Sequence, residues 1–414
     1  MSAAEFSQVN QFVKPKEVVP EPLAGVIARA VNEMATDVHI DAWGEQAALR
    51  FRVDGMIHPS ELISYDESRR LINQVKVSAR MDLATVLAPQ EGHFRWYSLD
   101  RCRDIRATVV ATAPMHEAAH LRLLTPPEEW LDIKNLGLGS REIDTVESTL
   151  RKPHGLVLIA GPTGAGKTTT LYSLTGLTDL REKIAASIED PAEFDLPYVR
   201  QLEIKEHRGF TMEEGLKTIL RIDADIVLVG EIRDSASAKI AARAALAGRL
   251  VLATIHARDI TMAIETMRYL SVPDHVLGAA LRLVIAQDLV RKLCPNCARP
   301  RPLAPHEREM FQAANVMVPE NVHDPVGCDR CFHHGYRGRT GVFQVAAIDA
   351  ELGRWLAAGQ PDQSLRERLV APGGPLVRDA LKKAAAGVTS MQEVVILDDK
   401  RLDRSAVDSS TTFK

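Results

Sequence analysis

The sequence predicts an α/β protein in which a mainly parallel sheet follows a smaller α+β domain. Three observations predict it. Short, near-continuous apolar runs at 156–160, 185–188, 226–229 and 250–255 are separated by helical stretches, the pattern of parallel strands covered on both faces. A glycine-rich loop, Gly161 to Thr168, lies between the first of these runs and a helical pattern. Upstream, Leu49, Phe51 and Val53 alternate with Arg50 and Arg52 before an Asp54-Gly55 turn, a half-exposed strand of a different kind of sheet.

The smaller domain comes first. Residues 1–20 are polar, carry Pro15 and Pro20, and read as a loose tail. Leu23, Val26, Ile27, Ala30, Val31 and Met34 recur at helical spacing. A strand starts at Val38–Ile40, a second helix runs near Ser68–Met81, and further strands reach about Leu124. This bounds an α+β domain at 21–124. Thr125-Pro126-Pro127-Glu128-Glu129 breaks the pattern and places a linker at 125–137. Ser140 is placed to cap a helix that buries Ile143, Val146 and Leu150. The parallel-sheet domain then fills 138–400, with a metal-binding part at about 291–343. The end, 401–414, rich in Ser, Thr and Asp, reads as a second tail.

A chain of 414 residues makes two or three domains and needs no disulfide staples. Apolar residues are 45% and charged residues 26%, which excludes collagen, coiled-coil and wholly disordered classes. Lysine and arginine (51) against aspartate and glutamate (55) leave −4, which argues against nucleic-acid binding through bulk positive charge. No run approaches the roughly 18–20 apolar residues that span a bilayer. The start, MSAAEFSQVNQF, lacks a basic segment followed by an apolar core, so no signal peptide is expected and the protein reads as cytoplasmic.

Gly161-Pro162-Thr163-Gly164-Ala165-Gly166-Lys167-Thr168 fits G-x-x-x-x-G-K-[ST]. Its glycines let backbone N–H groups close around phosphate oxygens, and the helix that follows adds its positive end. Lys167 is placed to reach the β- and γ-phosphates of ATP and Thr168 to ligate Mg²⁺, with Thr169 completing the nucleotide-binding residues. Two carboxylate stations follow strands. Gly230-Glu231 ends the run at 226–229, where nucleotide binds in open α/β sheets. Glu231 is expected to polarise the attacking water or hold the metal. Glu189, Asp190 and Glu193 follow the run at 185–188, with Asp190 a further magnesium candidate. His256 ends the run at 250–255 on the same side and is a candidate for a γ-phosphate or water contact.

Five cysteines are present, four of them in the pairs Cys294-x-x-Cys297 and Cys328-x-x-Cys331. Four thiolates in two tight pairs predict a closed, structural zinc site. Thirty residues separate the pairs, longer than the roughly 15–20 of compact zinc ribbons. The extra loop closure costs only about half a kcal/mol. Cys102 stands alone and reads as packing.

These motifs resemble those of the ATPases that power type II secretion and type IV pilus assembly. The resemblance rests on GPTGAGKTTTLYSL, IEDPAEF, DADIVLVGEIRD, GRLVLATIHARD and the tetracysteine ending in HHGYRGRTG, with ATDVHIDAWGEQAALRFRVDG and APQEGHF upstream. It implies a RecA-like ATPase domain behind a PAS-like domain. It also implies a cytoplasmic homohexamer acting on an inner-membrane platform protein, associated with the membrane through partners, and with no nucleic acid. Arg52 and Arg106 then become the arginines that reach a neighbouring subunit's nucleotide. The tetracysteine resembles assembly and secretion members rather than retraction members. Only about 20 residues precede the first helix, so the additional N-terminal docking domain of such ATPases is expected to be absent. Arg249 stands where the family has a histidine, Met115-His116-Glu117 replaces Y-G-E, and Ile222-Asp223-Ala224-Asp225 replaces Q-D-P-D. Two alternatives remain at this point: an ATP-binding scaffold with little turnover, and a nucleic-acid motor on the same core.

Overall fold

The computed structural model describes residues 19–58, 61–98, 101–113, 116–124, 131–193, 195–369 and 374–408. Expectations for 1–18, for Met115, for 125–130 of the linker and for 409–414 lie outside these residues. The chain divides into two compact units between Pro126 and Pro127, inside the predicted linker.

The first unit is the PAS-like α+β domain. Helix α1 (Leu23–Asn32) buries Leu23, Ile27, Ala30 and Val31 along one stripe. Val19, assigned to the tail from sequence, is buried in the same core. Helix α2 (Tyr65–Ser78) starts three residues before the expected Ser68, because Ser64 and Glu67 form a capping box. It stops short of Met81, since Arg80 turns left-handed at φ 58°. The strands are β1 (Ala35–Trp43), β2 (Gln46–Val53), β3 (Met56–Ile57), β4 (Glu61–Ser64), β5 (Gln90–Ser98), β6 (Arg101–Thr112) and β7 (His116–Leu123). They form one antiparallel sheet in the order β3-β2-β1-β7-β6-β5, with β4 beside β2. Asp54 and Gly55 both take positive φ, the twist a two-residue hairpin needs. Lys76 of α2 is fully buried and paired with Glu117 at 2.5 Å.

Alternation sorts the sheet faces. Val38, Ile40, Leu49, Phe51, Ile105, Ala107 and Leu121 join the core with α1 and α2. The opposite face carries a cross-strand row, Arg52–Asp37–Arg122–Arg106–His93. The next row is Arg50–His39–His120–Thr108–Glu91.

The second unit is the RecA-like domain. Its main sheet is built from β8 (Gly155–Ala160), β9 (Ala185–Glu189), β10 (Val199–Glu203), β11 (Ile226–Ile232), β12 (Leu250–Ile255), β13 (Leu281–Leu293) and, after the short hairpin β14 (Arg299–Pro302) and β15 (Asn321–Asp324), β16 (Tyr336–Ala347). The order is β10-β9-β11-β12-β8-β13-β16, and β16 alone runs antiparallel. All four apolar runs expected to be strands are central strands of this sheet. β10, β13 and β16 were not foreseen.

Helices cover both faces. α3 (Ser140–Leu150) and α4 (Lys167–Gly176) pack on one side through Val146, Leu150, Leu171 and Leu174. α5 (Met212–Ile219), α6 (Ser235–Leu246), α7 (Ile260–Tyr269) and α8 (Asp274–Ala280) pack on the other. Ser140 is the first residue of α3 rather than its cap, which is Gly139. Within the expected linker Ile133 is buried against α3 and α4, and Leu138, just after it, joins the same core.

Past β13 come α9 (Pro305–Ala313), α10 (Ala350–Ala357), α11 (Asp362–Leu369), α12 (Pro375–Ala385) and α13 (Met391–Asp408). The last helix continues beyond residue 400, where the sequence reading starts a tail. The expected metal-binding part is not confined to 291–343 either. Val290, Phe311, Val322 and Val342 share a core with Leu376, Leu381 and Val394 of the two final helices.

The polar face of the first unit makes its stability acid-sensitive. Asp37 accepts hydrogen bonds from His120 Nε2 (2.8 Å), Thr36 Oγ1 (2.8 Å) and Arg122 Nε (3.1 Å). Burial alone raises its pKa, but these donors outweigh burial and hold the carboxyl well below the usual range. His39 stacks on His120 with ring centroids 4.7 Å apart, and burial followed by His120 lowers its pKa. Both groups bind protons more readily in the unfolded chain. Their contribution is therefore present at neutral pH and lost on acidification, His39 below about pH 6.5 and Asp37 from about pH 4 downward. Urea midpoints of the intact chain should fall from pH 7 to pH 3, and Asp37→Asn should flatten the fall below pH 4. A wild-type midpoint that is level over this range refutes the assignment.

Candidate functional site

The parallel sheet brings the predicted groups together. Every residue of β8 is buried. At its C-terminal end the chain must leave the sheet and start α4 within six residues, and Gly164 (φ 80°) and Gly166 (φ 81°) supply left-handed turns. Gly166 is the N-cap of α4 and offers no side chain to the first N–H groups, which leaves them available to an anion. Lys167 Nζ donates to the carbonyls of Gly161 (2.8 Å) and Pro162 (3.1 Å), so the side chain is folded over the loop. Burial lowers its pKa, and Glu231, 3.9 Å away, pulls it back up. Pro162, Thr168 and Thr169 are half-buried, Ala165 buried, and Thr163 and Gly164 exposed at the tip.

Glu231 lies near the end of β11. Thr254 of β12 donates to the carbonyl of Gly230 at 2.5 Å and ties down the backbone beside it. A Cβ on Gly230 would sit 3.2 Å from Glu189 Cα, so glycine lets β9 and β11 approach. Arg233, which the sequence reading missed, joins the two carboxylate stations. Its Nε donates to Glu231 (2.5 Å) and its Nη1 to Asp190 (3.0 Å). Glu231, Asp190 and Thr168 offer oxygen donors at one edge of the sheet, the hard ligands that suit Mg²⁺.

Glu189 lies apart from that group. It is buried, accepts from Ser187 Oγ (2.6 Å) and Gln201 Nε2 (3.1 Å), and is hydrogen-bonded by Tyr172 of α4. Sequence position at a strand end suggested metal or water contact; alternation along β9 instead turns the side chain into the layer under α4. Its charge raises the Tyr172 pKa, after burial. Glu193 follows, its N–H directed to the same tyrosine hydroxyl at 3.3 Å. His256 is exposed directly after β12, next to Ile255, whose carbonyl accepts from Gly161 N. Arg249, the departure from the family histidine, donates to the Leu220 carbonyl at 3.3 Å.

Arg52 and Arg106 both lie in the first unit, on the polar row described above. Arg52 donates to the Gly55 carbonyl at 2.9 Å. Arg122, on the same row between Asp37 and Arg106, was not singled out from sequence.

The four paired cysteines converge as expected. Their sulfur atoms all lie within 4.8 Å of one another. Closest approaches are 3.7 Å (Cys297–Cys331 and Cys328–Cys331) and 3.9 Å (Cys294–Cys328). A tetrahedron with metal–sulfur bonds of about 2.3 Å has edges of about 3.8 Å, so the cluster has the size of a zinc site. The N–H groups of Cys328 and Gly335 point at Cys331 Sγ, and that of Gly327 at Cys297 Sγ. Burial raises the Cys331 thiol, but its two N–H donors bring it down to about 7. Cys297 is pushed up to about 12 by burial. His333 is mostly exposed and faces Asp329 at 3.1 Å, outside the sulfur set.

A family model described as Type II/IV secretion system protein matches residues 14–396. The type II secretion system protein E of Aeromonas hydrophila is 36% identical over 396 residues, covering 95% of this chain and 78% of its own. The type II secretion system ATPase E of Vibrio cholerae is 33% identical over 399 residues, with the same coverage of each. The chain belongs to the type II/IV secretion system protein family. As a member with an intact phosphate loop, it is an ATPase. The fold agrees with the solved structure of the Legionella pneumophila ATPase DotB, at a TM-score of 0.67 and 20% identity, over 94% of this chain and 98% of that one. No helix among the described residues is long and apolar enough to cross a membrane.

Two residues, one in each unit, escaped sequence reading for different reasons. Arg233 stands two residues after Glu231, a signal available in the string GEIRD, but its partner Asp190 is 43 residues away. Arg122 alternates with Leu121 and Leu123 in a strand whose register is not written in the sequence. For the sulfur cluster the expected result is one equivalent of zinc per chain in freshly purified, reduced protein. Cys294→Ser should lose most of it. Metal analysis near zero for the wild type refutes the site.

Proposed function

We propose that this ATPase works as a homohexameric motor that drives assembly of a type II secretion pseudopilus or a type IV pilus. In this reading it sits in the cytoplasm at the inner face of the inner membrane, acts on a platform protein there, and handles no nucleic acid. One observation carries it: a phosphate loop, a strand-end carboxylate and a sulfur tetrahedron stand in one unit of a chain aligned along 95% of its length with type II secretion E proteins.

The chemistry follows from the residues. Lys167 is held by two carbonyls, weaker partners than a phosphate, so ATP draws it to the β- and γ-phosphates. The N–H groups from Gly164 to Thr169 surround those phosphates. Thr168, with Glu231 or Asp190, would hold Mg²⁺, which would supply positive charge against the phosphates. Glu231 orients the attacking water, and Arg233 sets its direction by gripping one carboxylate oxygen. His256 flanks the γ-phosphate side. Glu189 and Glu193 act through Tyr172, holding α4 and the Asp190 loop in place. Arg52 and Arg106, with Arg122 between them on the row, supply positive charge to a neighbouring subunit's nucleotide. Zinc, held by Cys294, Cys297, Cys328 and Cys331, is structural.

Two measurements test this reading. Glu231→Gln should bind ATP and hydrolyse it at least about tenfold more slowly. Full-speed turnover removes Glu231 from the chemistry. Tagged Glu231→Gln protein with ATP, captured from native membranes, should bring down a polytopic platform protein. Recovery of nucleic acid and its processing proteins, with no membrane component, favours a nucleic-acid motor and overturns the proposal.

A further inference from the structure

A contact outside these groups lies beneath the phosphate loop. Gln287 is in the middle of β13 and 1% exposed. Its Nε2 donates to the carbonyl of Ala165 at 2.6 Å, across 122 residues of chain. A Cβ on Gly161 would meet the Gln287 carbonyl oxygen at 2.7 Å, and one on Gly166 would come within 3.5 Å of Gln287 Nε2. Gln287 thus lies against both ends of the loop.

The orientation of this amide is forced. A carbonyl only accepts, so the NH₂ end must face Ala165. Its oxygen, Oε1, is left buried with no hydrogen-bond partner among the described residues. A buried acceptor without a partner is unfavourable, so the contact with Ala165 is kept at the expense of the other end of the same amide.

What the contact does follows from peptide geometry. Among the described residues the cis bonds are those before Pro22 and Pro191, so the Ala165-Gly166 bond is trans. In a trans peptide the C=O and the N–H point in opposite directions. Drawing the Ala165 carbonyl down onto β13 therefore aims the Gly166 N–H up, away from the sheet and into the cup at the start of α4. Gly166, free to rotate at positive φ, has no side chain to hold that peptide itself.

We propose that Gln287 is a positioning residue of the ATPase site, which locks the Ala165-Gly166 peptide so that its N–H donates to a nucleotide phosphate. This rests on the reading of Gly161–Thr168 as the ATP site. Gln287 acts through the peptide and touches no substrate.

The test uses the full chain. Gln287→Met keeps the length and removes the donor. Affinities for ADP and for adenosine are measured by competition against a fluorescent nucleotide, with zinc content and melting temperature as checks of folding. The expected result is a Kd for ADP raised about tenfold or more, the loss of one hydrogen bond to a charged group, with adenosine affinity unchanged. Unchanged ADP affinity, or equal weakening of ADP and adenosine, overturns the proposal. If the variant does not fold, the wild type decides: with ¹⁵N-glycine labelling, the Gly166 amide resonance should move downfield when ADP is added, and an unmoved resonance overturns it. A wild type that binds no ADP, indistinguishable from Lys167→Ala, refutes the phosphate-loop reading itself and this proposal with it.

Discussion

The burial of β8 on both faces is the constraint on which the second unit depends. Its flanking strands β12 and β13 run parallel to it, and β11 and β9 continue the same direction. Parallel neighbours end on one edge. The phosphate loop, Glu231, Asp190 and His256, spread over nearly a hundred residues of chain, are therefore delivered to a single crevice without any one of them being selected for proximity. The apolar runs that bury the strands and the polar residues that follow them are one design: the first fixes direction, the second occupies the end that direction exposes.

Beneath that edge, polar contacts set the fine geometry. Thr254 holds the Gly230 carbonyl, Tyr172 and Gln201 hold Glu189, and Arg233 spans Glu231 and Asp190. Each links two elements whose ends at this edge must stay in register if a phosphate, a cation and a water are to meet. Gln287 belongs to this group. The strand that carries it also delivers Cys294 to the sulfur cluster, seven residues on. Between the two, Arg291 is anchored by both oxygens of Glu393 and stacks over Tyr336 at 4.1 Å. The end of β13 next to the sulfur cluster is thereby fastened to the final helix.

The first unit solves a different problem. Placing Arg122 directly opposite Arg106 on a sheet face is unfavourable by itself, since like charges across strands repel. Asp37, nearly buried between Arg52 and Arg122, offsets part of this, and His120, stacked on His39, is hydrogen-bonded to the carboxylate. The face retains an excess of positive charge. Such an arrangement suits a surface that meets an anion.

The sequence by itself determined the fold class, the four central strands, the phosphate loop and the sulfur quartet. These are local: a strand is a run of apolar residues, a phosphate loop is eight contiguous positions, and the sulfur quartet is two close pairs whose spacing suits one metal. It also placed Glu231 correctly at a strand end. Tertiary structure decided what lay beyond the reach of spacing. Whether Glu189 faces the crevice or the layer under α4 depends on strand alternation and on Tyr172 and Gln201, which are brought in from other elements. The extent of the cysteine-bearing lobe depends on a core shared with helices past residue 374. The row that joins Arg52, Arg122 and Arg106 depends on antiparallel register. The role of Gln287 depends on a contact across 122 residues and on the direction of one peptide bond. In each case the deciding partner is distant in sequence, and no periodicity or motif records which distant residue a side chain will meet.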